Sequence, residues 1–442
     1  MKIAKRILLF AGLLIVLLVV FTYLSIWSTN EAGEDTILLN RDKLDTTDLK
    51  DTDSVLVAAS SRFESNFLKE FMQGAHYRET WAAPVKAPVL WLDTYLGGLK
   101  PIEVGGGQQT HSLDVLAKDG TLYTLRSVNK DPAPLIPKFA ETLGLENIVT
   151  DGISAQHPYG AILAAALADK AKVLHTNPKL VFLPKQPLLD TLNDKFGNRL
   201  FLLEYETEDS ENWTGLDRIT GMIDTDSLQL LKLERKENLR IDEASLVRSR
   251  LFDFLIGDWD RHTKQWGWAL QENKNGLLAI PLPGDRDNAF FSLDGVIPTL
   301  ISSRFLEPKV RPFDEDIDYL PGLVYPFDVY FLKNTPKAVF VKQARFLQQR
   351  FTNEAIDEAL KRWPPDVYEL DNEKIRLKII GRRDALVEYA EGFYEILQQR
   401  PYLEEPLNGS DDITLPPALM KCFQCLDKKL LTSPSAAKDS EN

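Results

Sequence analysis

The sequence predicts an α+β protein of two lobes, a small β-rich lobe and then a larger helical one, carried behind a single transmembrane helix. Three observations lead there. The 442 residues exceed what one hydrophobic core usually serves, so two or three lobes are expected. Strand-like runs separated by turn signals fill much of the chain before residue 293, and helical spacing dominates after it. Residues Ile7–Trp27 form an uncharged apolar run, and about 20 such residues suffice to cross a bilayer.

The N-terminal element comes first. Lys2, Lys5 and Arg6 precede the apolar run, and Ser25-Ile26-Trp27-Ser28 makes a poor cleavage site, so residues 1–28 read as an uncleaved anchor. The basic end stays cytoplasmic, which sends the rest across the membrane, into the periplasm of a Gram-negative host. Residues 29–60 are polar and acidic and read as a linker. With 44% hydrophobic and 26% charged residues the remainder is ordinary globular protein. A net charge of −13 argues against a nucleic-acid partner, which calls for a basic stripe.

The first lobe is expected over residues 61–206. Phe63–Phe71 has helical spacing, and His76–Leu92 is Pro-interrupted and reads as a packed arm. Gly105, Gly106, Gly107 and Gln108 precede a strand, a turn at Asp119-Gly120, and a strand carrying Arg126 and Lys130. Glycines let backbone N–H groups approach a phosphate, and a basic side chain on a neighbouring strand can meet the same anion. A plain turn with surface charges is the alternative. A helix over Pro158–Lys172 and strands at Leu180–Pro184 and Leu200–Glu206 follow.

The second lobe is expected over residues 207–400. Asn212–Ile241 is polar and reads as an irregular insertion. Asp242 caps a helix whose apolar face includes Val247, Leu251 and Phe254, with Gly257 as its C′ residue. A β-hairpin follows, with Asn275-Gly276 at its turn. Thr352 caps a further helix, Pro364-Pro365 stops it, and Glu373–Arg400 is amphipathic. Residues 401–442 read as disordered. Cys422 and Cys425 form a CxxC; with no second pair and no thioredoxin-like surroundings, a local disulfide or two idle thiols is expected rather than a redox or zinc site.

The hairpin is flanked by two acidic clusters, Asp258-Trp259-Asp260-Arg261-His262 and Asp285-Arg286-Asp287-Asn288. A hairpin brings its two ends together, so the clusters should meet. Asp260 can accept a proton from an attacking hydroxyl, with His262 holding the loop through a ring hydrogen bond. Gln265, Asp285 and Asp287 offer hard oxygen ligands that suit Mg²⁺ or Mn²⁺ bridging nucleotide phosphates; Asp287 is preferred over Asp285. Loop ion pairs closing the helix and hairpin ends are the structural alternative.

GDWDRHTKQWGW resembles the catalytic loop of atypical kinases: the phosphoinositide 3-kinases, HipA-type toxin kinases, CotH-type spore-coat kinases and secretory-pathway casein kinases. The resemblance implies a bilobal protein-kinase-like fold, ATP as co-substrate, Asp260 as base, Gln265 and Asp287 at the metal, and the 105–107 loop with Arg126 at the phosphates. Arg126 stands where the family has Lys, and Gln265 where it has Asn or an acid. The sequence assigns no glutamate after Arg126 as the ion-pair partner of the strand cation; Glu141 and Glu146 are candidates. The run from Tyr77 to about Leu397 also resembles an uncharacterised group of bacterial envelope proteins. The acceptor, whether protein, lipid or glycan, is not specified. A catalytically inactive pseudokinase scaffold of the envelope is the second reading, and a metal-dependent glycosyltransferase using DxD motifs is the third.

Overall fold

The computed structural model describes residues 2–27, 35–38, 49–106, 110–409, 415–416 and 421–426. Helix Lys2–Trp27 opens the chain; its span Ile3–Trp27, with mean hydropathy 3.0, is long and apolar enough to cross a membrane. The rest is a mixed α/β fold with three sheets among the described residues.

The first sheet pairs β1 (Asp35–Leu38), β2 (Ser54–Ser60) and β3 (Val85–Pro88). The second is antiparallel throughout. It comprises β4 (Leu99–Gly105), β5 (Thr110–Ala117), β6 (Leu122–Lys130), β7 (Lys179–Leu183) and β8 (Arg199–Tyr205), in the order β4-β5-β6-β8-β7. The third comprises β9 (Ile219–Asp224), β10 (Leu239–Ile241), β11 (Trp266–Asn273) and β12 (Gly276–Pro283), in the order β10-β12-β11-β9.

Strand alternation explains how the five-stranded sheet separates two cores. Phe201 and Leu203 point to a small cluster with Leu113, Val115 and Leu125. Leu200 and Leu202 point the other way, into a large cluster shared with the C-terminal helices. Helix Gly160–Ala171 lies within the expected first lobe, yet it packs on helices Glu243–Ile256 and Asn353–Leu360. The large core therefore crosses the expected boundary at residue 206. Its aromatic centre stacks Trp266 on Phe327, ring centroids 4.8 Å apart.

Five sequence expectations are corrected. Residues 54–60, placed in the linker, form β2, because Val55–Ala59 is an apolar run that buries against β3. His76–Leu92 holds a helix, Arg78–Ala82, and β3. Asn212–Ile241 is regular: β9, helix Thr225–Arg235 capped by Asp224, and β10. Its polarity misled because Lys232 is buried, its ammonium satisfied by the carbonyls of Lys236 and Leu239 at 2.9 Å each. The hairpin turn is Lys274-Asn275, with Asn273 paired to Gly276. Within the expected disordered tail, Leu407, Cys422 and Phe423 are buried. Cys422 and Cys425 form a disulfide, and Phe423 packs on Phe331.

Candidate functional site

Side chains of β6 alternate, so Arg126, Val128 and Lys130 share one face. Opposite them stands the exit of the β11–β12 hairpin. Arg126 Nη1 donates to Asp285 Oδ2 at 3.1 Å. Lys130 Nζ donates to Asp287 and, at 2.7 Å, to Thr110 Oγ1. Thr110 opens β5, so the start of that strand meets the Lys130–Asp287 pair. Gly106 has φ +120°, and a Cβ there would lie 2.1 Å from the Thr110 carbonyl oxygen, so only glycine fits. Gly105 pairs with Ser112 in β4–β5. Gly107 and Gln108 lie outside the described residues.

The other acidic cluster is delivered by helix Glu243–Ile256. Asp242 Oδ1 accepts from the Ser245 N–H at 3.0 Å, and Gly257 ends the helix at φ +67°. Arg261, fully buried, then fastens this loop to the hairpin exit. It donates to the carbonyls of Gly284 (2.8 Å), Asp285 (3.1 Å) and Gln265 (3.2 Å). Beneath both clusters sits Asp253, also fully buried. It pairs with Arg250 at 2.8 Å, Arg286 at 3.0 Å and Arg261 at 3.3 Å. Arg261 and Arg286 are thus ion-paired, as the structural alternative expects, yet the pairs are internal and shape the site.

Asp260 and Asp258 part company. Asp258 is buried beside Arg261, 3.5 Å away, and burial pushes it up to about 8. Asp260 reaches Asn288, whose Nδ2 lies 3.5 Å from its Oδ2, and Gln156 in turn donates to Asn288 Oδ1 at 3.0 Å. Burial raises Asp260, making it a better proton acceptor than an ordinary carboxylate. The ring of His262 makes one long hydrogen bond within the loop, Nε2 to Gln265 Nε2 at 3.5 Å, and lies 3.8 Å from Asp260 Oδ1. Arg261 supplies the shorter bonds that fasten the loop.

The hairpin acids differ electrostatically. Burial pushes Asp285 up, but Arg126, Lys130 and Arg261 together overcome it and bring the carboxyl down to about 2. Asp287 is raised, by burial and then by Asp285, despite Lys130. The acids acting most strongly on Arg126 are Asp285, Glu204, Glu206 and Asp287, and these take the place of the candidates Glu141 and Glu146. Burial pushes Glu204 on β8 up to about 7.

Among the described residues no three His, Cys, Asp or Glu are grouped to hold a metal. The donor set here is Asp285 and Asp287; Gln265 turns its amide nitrogen toward Asp285 Oδ2, 3.5 Å away, so its oxygen would join them only after the amide rotates. Asp285 Oδ1 is buried without a hydrogen-bond partner, an unmet acceptor that a hard cation would satisfy. Mg²⁺ commonly uses only one or two carboxylates plus phosphates and water, so the set fits such an ion.

Sequence reasoning missed Asp253, Gln156 and Thr110. The signal for Asp253 was present, a lone acid inside the apolar stretch LFDFLI. Gln156 and Thr110 carried none, since only tertiary packing brings them in.

No protein-family model matches the chain, and no curated protein matches it. Among solved structures it is similar to the Helicobacter pylori proinflammatory kinase CtkA, at 14% sequence identity and a TM-score of 0.36, covering 67% of this chain and 96% of that one.

Proposed function

We propose that the chain is a membrane-anchored, kinase-like protein that binds ATP with Mg²⁺ or Mn²⁺ and transfers its terminal phosphoryl group to an acceptor. The supporting observation is the double meeting of Arg126 with Asp285 and Lys130 with Asp287, with Thr110 at the start of β5 bonded to the same Lys130. Nucleotide phosphates would draw Arg126 and Lys130 away from the carboxylates. The freed carboxylates, with Gln265, would hold the cation, which supplies charge neutralisation to the transferring group. Asp260 accepts the proton of the acceptor hydroxyl as its oxygen bonds to phosphorus and ADP leaves. With the N-terminus cytoplasmic, this site would face the extracytoplasmic side and need nucleotide supplied there.

The pseudokinase reading keeps the nucleotide at this site without transfer, and the departures at Arg126 and Gln265 support it. The glycosyltransferase reading is weakened by the burial of Asp258, which takes one acid of the first DxD out of reach.

Thermal shift of the full chain in nanodiscs, with ATP, a nucleotide-sugar or no ligand, each with and without Mg²⁺ or Mn²⁺, separates the three. The proposal expects an ATP–metal shift that Asp287→Ala abolishes, and phosphate transfer that Asp260→Ala abolishes while binding persists. Binding without transfer in the native chain leaves the pseudokinase. No response to ATP rejects both nucleotide readings.

A further inference from the structure

The membrane helix does not leave the domain on a tether. Ser25 is fully buried and its Oγ accepts from Gln73 Nε2 at 2.9 Å. Tyr23 donates to the Leu143 carbonyl at 2.9 Å. Helices Phe67–Gln73 and Lys138–Leu143 therefore sit directly against the last turns of the apolar helix. A third helix, Val296–Ile301, packs on the first. The contact between them is close: a Cβ on Gly295 would lie 2.3 Å from the Gly74 backbone nitrogen.

These three elements carry large apolar side chains that the domain leaves in the open. Phe67 is 84% exposed and Phe305, just past the third helix, 81% exposed. Phe71, Phe139, Leu143 and Leu300 are each more than half exposed. Phe67 and Phe71 stack on each other, ring centroids 6.5 Å apart, rather than turning inward. A soluble surface seldom groups apolar side chains in this way without an occupant.

We infer that this group is a membrane-seating surface, on which the domain rests flat against the lipid from which its own helix emerges; the inference rests on that helix spanning the bilayer, as proposed above. The argument is one of depth. If Ile3–Trp27 spans the hydrocarbon, Tyr23 and Trp27 lie at its boundary, where aromatic rings collect. Side chains on elements bonded to Tyr23 and Ser25 then lie at the same depth. The neighbouring charges are mixed, Glu64, Glu70, Glu141 and Glu146 against Arg62, Lys138 and Arg304, the last stacked on Phe305, so net attraction to anionic headgroups is not the driving term. Apolar burial is, as for an interfacial helix. A zwitterionic bilayer should suffice, and salt should matter little.

The test uses the full chain in phosphatidylcholine vesicles containing lipids spin-labelled near the headgroup. Phe67→Cys, Phe139→Cys and Phe305→Cys are each labelled with a fluorophore, with Leu188→Cys, 48% exposed on the turn after β7, as the reference. The native cysteines form a disulfide and do not compete. The inference expects quenching at least three-fold stronger at the three patch positions than at Leu188, unchanged between low and high salt. A chain that resists alkaline extraction yet shows equal quenching at all four positions overturns the seating surface while leaving the anchor intact. Release by alkaline extraction instead overturns the anchor. Patch labels shielded from aqueous iodide but not quenched by lipid show that protein covers this face, which also overturns the inference.

Discussion

Replacing Asp253 by alanine tests whether a buried acid assembles the two acidic clusters. The side chain has no exposure and faces three guanidinium groups. Without it, Arg250 keeps Asp328 at 2.7 Å, and Arg261 keeps its three carbonyls. Arg286 fares worst: its Nε and Nη1 are already buried without partners, and its bond to Asp253 is lost. Leaving such a charge uncompensated costs about 3–5 kcal/mol. Asp253→Asn retains one acceptor oxygen and should lose roughly half as much. Urea unfolding followed by tryptophan fluorescence reads this directly, because Trp266 and Trp268 lie at the head of the hairpin that Arg261 holds. With a slope of about 3 kcal/mol/M, the alanine variant's midpoint falls by about 1 M or more. A loss below about 1 kcal/mol, or equal losses in the two variants, would refute the claim that Asp253 organises the site.

Three further outcomes are expected. His76 is buried and held near 4, chiefly by desolvation, against Asp294's opposing pull, while the unfolded chain titrates near 6.5. Its neutral ring therefore contributes stability that is intact above about pH 6.5 and lost progressively down to about pH 4, roughly 3 kcal/mol in all; the stability difference between the native chain and His76→Gln across that window should show this slope, separated from the opposite slopes of Glu204 and Asp258, which burial raises. Gly276 has φ +112°, and a Cβ there would meet the Asn238 carbonyl oxygen at 2.1 Å, so Gly276→Ala should cost about 2–3 kcal/mol of stability in urea. The Cys422–Cys425 bridge closes a very short loop, so its reduction should cost no more than about 2 kcal/mol, measured as the midpoint difference with and without reductant.

Local chemistry was readable where it acts alone. The Asp242 cap, the Gly257 stop and the hairpin that joins the acidic clusters follow from short-range rules, and the structure has all three. What could not be read is what tertiary packing decides. Nothing local says that Lys130 turns in to Asp287 or that Gln156 reaches Asn288. Polar composition likewise hid helix Thr225–Arg235, whose Lys232 is satisfied only once the chain has folded over it. The tail misled for the same reason: Phe423 is buried only because Phe331 and Tyr330 wait for it.

The central claim is that Asp285 and Asp287 hold a divalent cation together with nucleotide phosphates brought in by Arg126 and Lys130. Electron paramagnetic resonance of free Mn²⁺, titrated with the full chain with and without ATP, tests it most directly. The account predicts that the chain with ATP removes far more Mn²⁺ from the free signal than ATP alone, and that Asp287→Asn and Lys130→Met each reduce this by ten-fold or more. Mn²⁺ uptake unaffected by ATP, or unchanged in both variants, would contradict it.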